Sequence, residues 1–287
     1  MSKQQQLQNI NVFIGIPTYD GNVHFKFTLS LINLIEKLKK MGVSFTLSHN
    51  MGSLVNRCRN QLVSIFMASK CTHMLFLDSD IYGFENSIEK FIYADKDLVG
   101  GIYPIKQHNY NVINKYGLPV TRETLSKELS FNINLCQSYD DMKRQAKNDN
   151  GIVEIRHLPG GCLFFSRKMI EQLAVQYPDR QYFACSNEST MRESDKYLYD
   201  FFASFIINND HGVTKKGFGK QYLSEDYGFC ELWKQMGKKV YADITTPLGH
   251  CDGKVEYYGS FHDHMIFYQE HLGKILVGAD ENVTRTK

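Results

Sequence analysis

The sequence lacks the cysteine spacing of a disulfide framework or a zinc site. Its 287 residues include seven cysteines, an odd number, and none of them form a C-x-x-C pair. This pattern argues against a disulfide-rich secreted scaffold and against a zinc knuckle. Reduced thiols in the cytoplasm are the simpler expectation.

Long apolar runs are also missing. No uninterrupted apolar run reaches the roughly 18 residues that suggest a membrane-spanning helix, so no transmembrane segment is expected. Residues 1–8 are polar and rich in glutamine, without the apolar core of a signal peptide. The sequence therefore predicts a cytoplasmic location.

An excess of charge of one sign is absent as well. Thirty-three basic residues balance thirty-one acidic ones, which leaves a formal net charge of +2. Such a balance gives no field suited to non-specific nucleic-acid binding, so no nucleic-acid partner is expected. Apolar residues are plentiful instead, at 43% of the chain, and this content supports a substantial core.

Strands and helices alternate over the first third of the chain. Short apolar runs predict strands, and apolar residues at helical spacing predict the helices between them. The predicted strands cover 11–16, 43–48, 74–77 and 98–103, and the predicted helices cover 28–41, 54–69 and 87–93. This order predicts an α/β fold with a doubly wound, mostly parallel sheet and flanking helices in one domain.

The remaining sequence is less regular. Residues 107–150 are polar without a strong period, and 140–150 are predicted to form an exposed loop. Gly160-Gly161 predicts either a hairpin turn between two short strands or a close approach of an acceptor to the backbone. The other predicted segments are strands at 152–157, 162–166 and 240–244, helices at 167–176 and 224–236, and flexible stretches at 186–194 and 208–220.

The most informative stretch is the apolar run Met74–Leu77, which leads directly into Asp78 and Asp80. Side chains alternate along a strand, so these two carboxylates are expected to project together at the edge of the sheet where ligands bind. Two adjacent carboxylates repel each other unless a cation lies between them, and a divalent ion that holds a diphosphate suits this position. The alternative is a solvated turn in which Asp78 caps the next helix.

Five motifs in chain order resemble the GT-A glycosyltransferases, near family 2. They are Asn11–Tyr19, Arg59-Asn60, Leu77–Asp80, Ser224–Cys230 and Gly249-His250. The segment 107–150 matches no motif of that family. The resemblance implies a GT-A-like fold and transfer of a sugar from a UDP- or GDP-sugar donor to an acceptor on a glycan, lipid or protein.

The resemblance also assigns a donor site. It implies that the loop with Pro17, Thr18 and Asp20 grips the base and ribose, although Asp20 also suits a plain turn. Ser79 belongs to the same donor site. Arg57 and Arg59 suit the diphosphate because guanidinium groups bind it through two parallel hydrogen bonds; a solvated helix face is the alternative.

A metal site follows from the same resemblance, with Mn²⁺ (or Mg²⁺) as the cofactor. Asp80 is its main carboxylate ligand, and Asp78 is either a second ligand or a contact to ribose or water. His250 is the candidate third ligand, and His262 and His264 are rivals for that role.

Two acidic residues are candidates for catalysis. Asp226 is the candidate general base, which would take the proton of the acceptor hydroxyl in an inverting transfer. Glu225 is its neighbour, about 100° away around the predicted helix. The alternative is that both acids only stabilise the beginning of that helix.

We expect a disordered segment over 1–10, a glycosyltransferase domain over 11–270 and a tail over 271–287. The domain would comprise a nucleotide-binding half at 11–105 and an acceptor half at 151–270. One alternative function is a nucleotidyltransferase that makes a sugar nucleotide, although the loop after the first strand lacks the usual glycine-rich, basic sequence. The other is a degenerate domain that only binds carbohydrate or a partner. That alternative predicts the loss of one or more site acids, whereas Asp78, Asp80, Glu225 and Asp226 are all present. The sequence leaves the oligomeric state open.

Overall fold

The computed structural model describes residue 7 and residues 9–183, 192–208 and 219–272. The strands are β1 Asn11–Thr18, β2 Ser44–Met51, β3 His73–Leu77, β4 Ile81–Tyr82, β5 Leu98–Gly101, β6 Pro104–His108, β7 Leu129–Phe131, β8 Ile152–Ile155, β9 Cys162–Ser166, β10 Phe205–Asn208, β11 Lys220–Leu223, β12 Val240–Asp243, β13 Leu248–Asp252 and β14 Val255–Gly259. The α-helices are α1 Phe25–Met41, α2 Val55–Ala68, α3 Ile88–Ala94, α4 Asn111–Tyr116, α5 Arg122–Lys127, α6 Tyr139–Asn148, α7 Arg167–Gln176, α8 Glu225–Gln235 and α9 Phe261–Leu272.

A seven-stranded sheet in the order β2-β1-β3-β9-β5-β12-β8 organises the domain. Five of its strands point in one direction, and only β9 and β8 are antiparallel to their neighbours. The predicted α/β class with a large, mostly parallel sheet in one domain is confirmed. Strands from residues 152–243 lie among strands from residues 11–101, so both predicted halves contribute to the same sheet.

Helices cover both faces of this sheet, as in a doubly wound fold. One apolar cluster includes Phe27 and Leu34 of α1 and Phe91 of α3. The other cluster includes Phe66 of α2 and Trp233 of α8. The central strand β3 is therefore buried on both faces, as its apolar run predicted.

Several predicted boundaries are confirmed closely. α1 ends where Gly42 adopts φ 72°, and the N–H of Gly42 donates to the carbonyls of Leu38 and Lys39. The predicted helix over 167–176 matches α7. β1 continues past its predicted end, because Pro17 stays in register with Asn50 of β2.

Two structural predictions are wrong. Residues 139–148 form helix α6 rather than an exposed loop, because Ser138 caps it and Met142 and Ala146 are buried against the core. Gly160-Gly161 is no hairpin turn, because β8 and β9 are separated in the sheet by β5 and β12. The predicted N-terminal segment and tail lie largely outside the described residues, and the flexible stretches 186–194 and 208–220 lie outside them in part.

Among the described residues, no helix is both long and apolar enough to cross a membrane.

Candidate active site

A pocket of about 210 Å³ opens where β1 and β3 end. The carboxyl ends of parallel strands are where open α/β sheets bind ligands. Its lining consists of Pro17, Thr18, Tyr19, Gly52, Ser53, Val55, Cys58, Asp78, Ser79 and Asp80. Half of these are residues that the sequence assigned to the donor or the metal. Asp78 and Asp80 do meet here, but strand alternation is not the reason, because β3 ends at Leu77 and both lie beyond it.

Asp78 is held by a buried arginine from α2. The Nη2 atom of Arg59 donates to Oδ1 of Asp78 at 2.8 Å and to Oδ2 at 3.1 Å. The Nη1 atom of Arg59 donates to the carbonyl of Gly160 at 3.0 Å. Only 2% of Arg59 is exposed, and it lies behind Asp78 rather than in the pocket lining. In this geometry Arg59 orients a carboxylate that lines the pocket.

The two adjacent glycines allow this close packing. A Cβ atom on Gly160 would lie 2.8 Å from Nη2 of Arg59, and one on Gly161 would lie 2.6 Å from the hydroxyl oxygen of Tyr103. The N–H of Gly161 donates to that hydroxyl at 2.8 Å, and the N–H of Asp78 donates to the carbonyl of Gly161 at 3.0 Å. Burial raises the pKa of Tyr103 well above its usual value, so its hydroxyl stays protonated. The two glycines thus bring the segment before β9 into contact with Arg59, Asp78 and Tyr103.

Asp80 faces two basic side chains. Its Oδ2 atom lies 2.8 Å from Nζ of Lys106 on β6 and 3.3 Å from Nε2 of His250 on β13. Burial alone would raise the pKa of Asp80, but the hydrogen bonds from His250 and Lys106 outweigh it and lower the pKa to about 2. Asp80 is therefore ionised throughout the physiological range.

The other ring nitrogen of His250, Nδ1, determines which atom of the ring carries the proton. Its Nδ1 atom lies 2.9 Å from the carbonyl oxygen of Pro104, and a carbonyl can only accept, so Nδ1 carries a proton. Nε2 donates to Asp80 only when the ring is doubly protonated, and in the neutral ring it presents a lone pair toward the carboxylate. Two facing acceptors need a proton or a cation between them. A histidine that donates its second nitrogen to a carbonyl is a common arrangement among metal ligands.

This donor set fits a divalent cation with a partial protein shell. Asp80 and His250 supply one carboxylate oxygen and one imidazole nitrogen, whereas Asp78 is engaged with Arg59. Over the described ranges, no group of three or more His, Cys, Asp and Glu side chains is arranged to hold a metal. Mg²⁺ and similar ions commonly bind through one or two carboxylates, and substrate phosphates and water complete the shell.

The acidic pair at the start of α8 lies beside Arg59 and Gly160. Oδ2 of Asp226 accepts from the N–H of Gly160 at 2.9 Å, and Oδ1 accepts from the N–H of Tyr227 at 2.8 Å and from the hydroxyl of Ser224. Oε1 of Glu225 lies 3.7 Å from Nε of Arg59. Burial and the charge of Asp226 raise the pKa of Glu225. Asp226 is thus anchored, and Glu225 is the less constrained carboxylate.

Four candidates stand apart from this cluster. Asp20 is exposed and binds Asn22, and Arg57 is exposed on α2. His262 lies 3.7 Å from Asp263, and His264 is buried on α9 with Nδ1 3.0 Å from the carbonyl of Lys127. Of the three late histidines, only His250 contacts a carboxylate that lines the pocket.

Sequence reasoning missed two members of the site. Tyr103 and Lys106 come just after the carboxyl end of β5, but neither belongs to a motif. Tyr103 is the last residue of the predicted strand 98–103 and Lys106 follows it, and this position was the only available signal. Lys106 reaches Asp80 because β6 lies against β13, a contact between distant segments that no local pattern indicates.

The sequence matches no protein-family model, and a search of curated proteins finds no relative. Among solved structures, A197 from STIV is similar at 15% identity and a TM-score of 0.43, covering 97% of this chain and 98% of that chain. The 4-diphosphocytidyl-2C-methyl-D-erythritol synthase from Anaerococcus prevotii DSM 20548 is similar at 11% identity and a TM-score of 0.29, covering 64% and 82%. Neither similarity is high enough to assign a function.

Proposed function

We propose that the protein is a metal-dependent glycosyltransferase of the GT-A type. It would move a sugar from a UDP- or GDP-sugar to a hydroxyl of a glycan, lipid or protein. The observation that carries this proposal is the meeting of Asp80 and His250 at a pocket that Thr18 and Asp78 also line. The five motifs that resemble the GT-A family support it further, because all five contribute side chains to this one region.

The pocket residues have distinct proposed roles toward the donor. Pro17 and Thr18, at the end of β1, would contact the base and ribose, and Asp78 and Ser79 line the same pocket. Asp80 and His250 would hold Mn²⁺ or Mg²⁺. When bound, such an ion stabilises the negative charge that develops on the departing diphosphate. Arg59 keeps Asp78 oriented through its paired hydrogen bonds.

The proton of the acceptor hydroxyl needs a base. We propose Asp226 for this step, with Glu225 as the alternative, since the two lie beside Gly160 and Arg59 at the edge of the site. A carboxylate has four lone pairs, so Asp226 retains capacity beyond its three described hydrogen bonds. The raised pKa and freer side chain of Glu225 are the observations that favour the alternative.

Metal binding at Asp80 and His250 tests the proposal. We expect Asp80→Ala and His250→Ala to weaken Mn²⁺ binding by about tenfold or more, measured by electron paramagnetic resonance of free Mn²⁺. His262→Ala is the matched control, because its ring lies against Asp263 instead. Full sugar transfer in excess EDTA, or unchanged Mn²⁺ binding in both variants, would falsify the metal-dependent function.

A further inference from the structure

Lys106 is a basic residue at the metal-binding carboxylate, with no role in the function proposed above. Its ammonium nitrogen lies 2.8 Å from Oδ2 of Asp80, the same oxygen that faces Nε2 of His250 at 3.3 Å. Lys106 therefore places a positive charge on the carboxylate oxygen that also faces the imidazole. Its ammonium group lies beside the carboxylate oxygen that a divalent cation would bind.

The lysine is also free to leave. Its side chain is 36% exposed on β6, and its described polar partner is Asp80 alone. A lysine has a flexible four-carbon stem and a compact charge, so a change of partner requires only rotamer changes. A fixed core cation such as Arg59, which is 2% exposed and holds three hydrogen bonds, has no such freedom.

Charge balance indicates where the ammonium group would go. A divalent cation beside Asp80 repels an ammonium group on the same oxygen. The diphosphate of a nucleotide-sugar carries two negative charges. A divalent cation and Lys106 together carry three positive charges. Asp80 neutralises one of them, so two positive charges remain. A bound diphosphate would thus restore neutrality.

We propose that Lys106 changes partner during donor loading. It neutralises Asp80 in the free protein, and it binds the diphosphate once a divalent cation has reached Asp80 and His250. Lys106 is then a donor-binding residue that also weakens metal binding in the absence of a nucleotide. This inference rests on the proposed function, because it requires both the cation and the diphosphate.

Two titrations of Lys106→Met test the exchange. In the first, Mn²⁺ alone is titrated without nucleotide, followed by electron paramagnetic resonance. We expect Mn²⁺ to bind about fivefold more tightly than in the wild type, because a competing unit charge is gone. In the second, UDP and GDP are titrated by calorimetry at saturating Mn²⁺, and we expect binding about fivefold weaker or worse.

Lys26→Met is the matched control. Lys26 is 37% exposed and pairs with Glu256 of β14, so it resembles Lys106 in exposure and in having a carboxylate partner. We expect it to change neither titration. Lys106→Gln serves as a second variant if the apolar methionine perturbs folding, which thermal unfolding of each variant would reveal.

Three results of these titrations would contradict the exchange of partners by Lys106. If Mn²⁺ binds the wild type and Lys106→Met binds it equally or more weakly, the exchange is overturned and the proposed function stands. Tighter Mn²⁺ binding with unchanged UDP and GDP binding also overturns the exchange, since Lys106 then does not contact the diphosphate. If the wild type binds no Mn²⁺ even in the presence of UDP or GDP, both proposals are overturned.

Discussion

At the scale of single residues, the site places two neighbouring acids in different environments. Both oxygens of Asp226 accept hydrogen bonds from backbone N–H groups, whereas Glu225 lies 3.7 Å from Nε of Arg59. The two acids are adjacent in sequence, so sequence alone could not distinguish their surroundings. Their roles can be distinguished by separate isosteric substitutions.

We expect Asp226→Asn to lower kcat by about 10²–10⁴-fold, the usual contribution of a general base. Glu225→Gln should have a smaller effect. Nucleoside diphosphate binding should change little in either variant, because neither acid lines the donor pocket. Steady-state kinetics over pH, with calorimetry of UDP and GDP binding, measures both quantities. A larger kcat loss in Glu225→Gln would move the base to Glu225.

Arg59 is expected to be a stability residue as well as a positioning one. Arg59→Met leaves the partly buried Asp78 carboxylate and the Gly160 carbonyl without their donors. We expect a loss of roughly 2–4 kcal/mol in the free energy of unfolding, since removing one partner strands the other. Urea denaturation measures this loss. Arg57→Met, on the exposed face of the same helix, is the control and should unfold like the wild type.

At the scale of elements, helix α9 is attached to the domain through a buried histidine. His264 donates from Nδ1 to the carbonyl of Lys127 and packs against Phe131 and Phe261. Burial lowers the pKa of His264 to about 4. His264 is therefore neutral in the fold, and it acts as a structural residue of this helix.

This lowered pKa makes stability depend on pH in a defined direction. The unfolded chain binds a proton at His264 near pH 6.5, whereas the folded chain does so only near pH 4. The unfolded state thus holds more protons between these values, and stability falls as pH decreases through that window. We expect His264 to account for roughly 2–3 kcal/mol of the fall. Urea denaturation at pH 7 and pH 4.5 should show a shallower decrease in His264→Phe. An equal decrease in both proteins would contradict the assignment.

Local patterns predicted the elements well where burial is strong and continuous. The apolar run before Asp78 gave β3, and the periodic helix closed by Gly42 gave α1. α6 was missed because only Tyr139, Met142 and Ala146 are buried in an otherwise polar helix. Long-range contacts decided the Gly160-Gly161 segment, since the glycines pack against Arg59 and Tyr103 and the strands on either side of them are not neighbours in the sheet.

At the scale of the whole molecule, the fold brings distant segments to one edge of the sheet. The pocket lies at the ends of β1 and β3, and the two glycines directly precede β9. His250 lies on β13, and the two acids lie on α8. The resemblance to the GT-A motifs predicted most of these residues. It could not predict Lys106, because β6 reaches Asp80 only through its contact with β13.

The central claim is that this pocket binds a nucleoside diphosphate through a divalent cation at Asp80. The most direct measurement is thermal unfolding with UDP, GDP, ADP and CDP, each with Mn²⁺ or with EDTA. A ligand at about 100 times its Kd adds about 2.7 kcal/mol of stability, which raises Tm by roughly 5 °C for a domain of this size. We expect UDP or GDP to give such a shift with Mn²⁺, and the shift to vanish in EDTA and in Asp80→Ala. No shift with any nucleotide, or an equal shift in EDTA, would contradict the account.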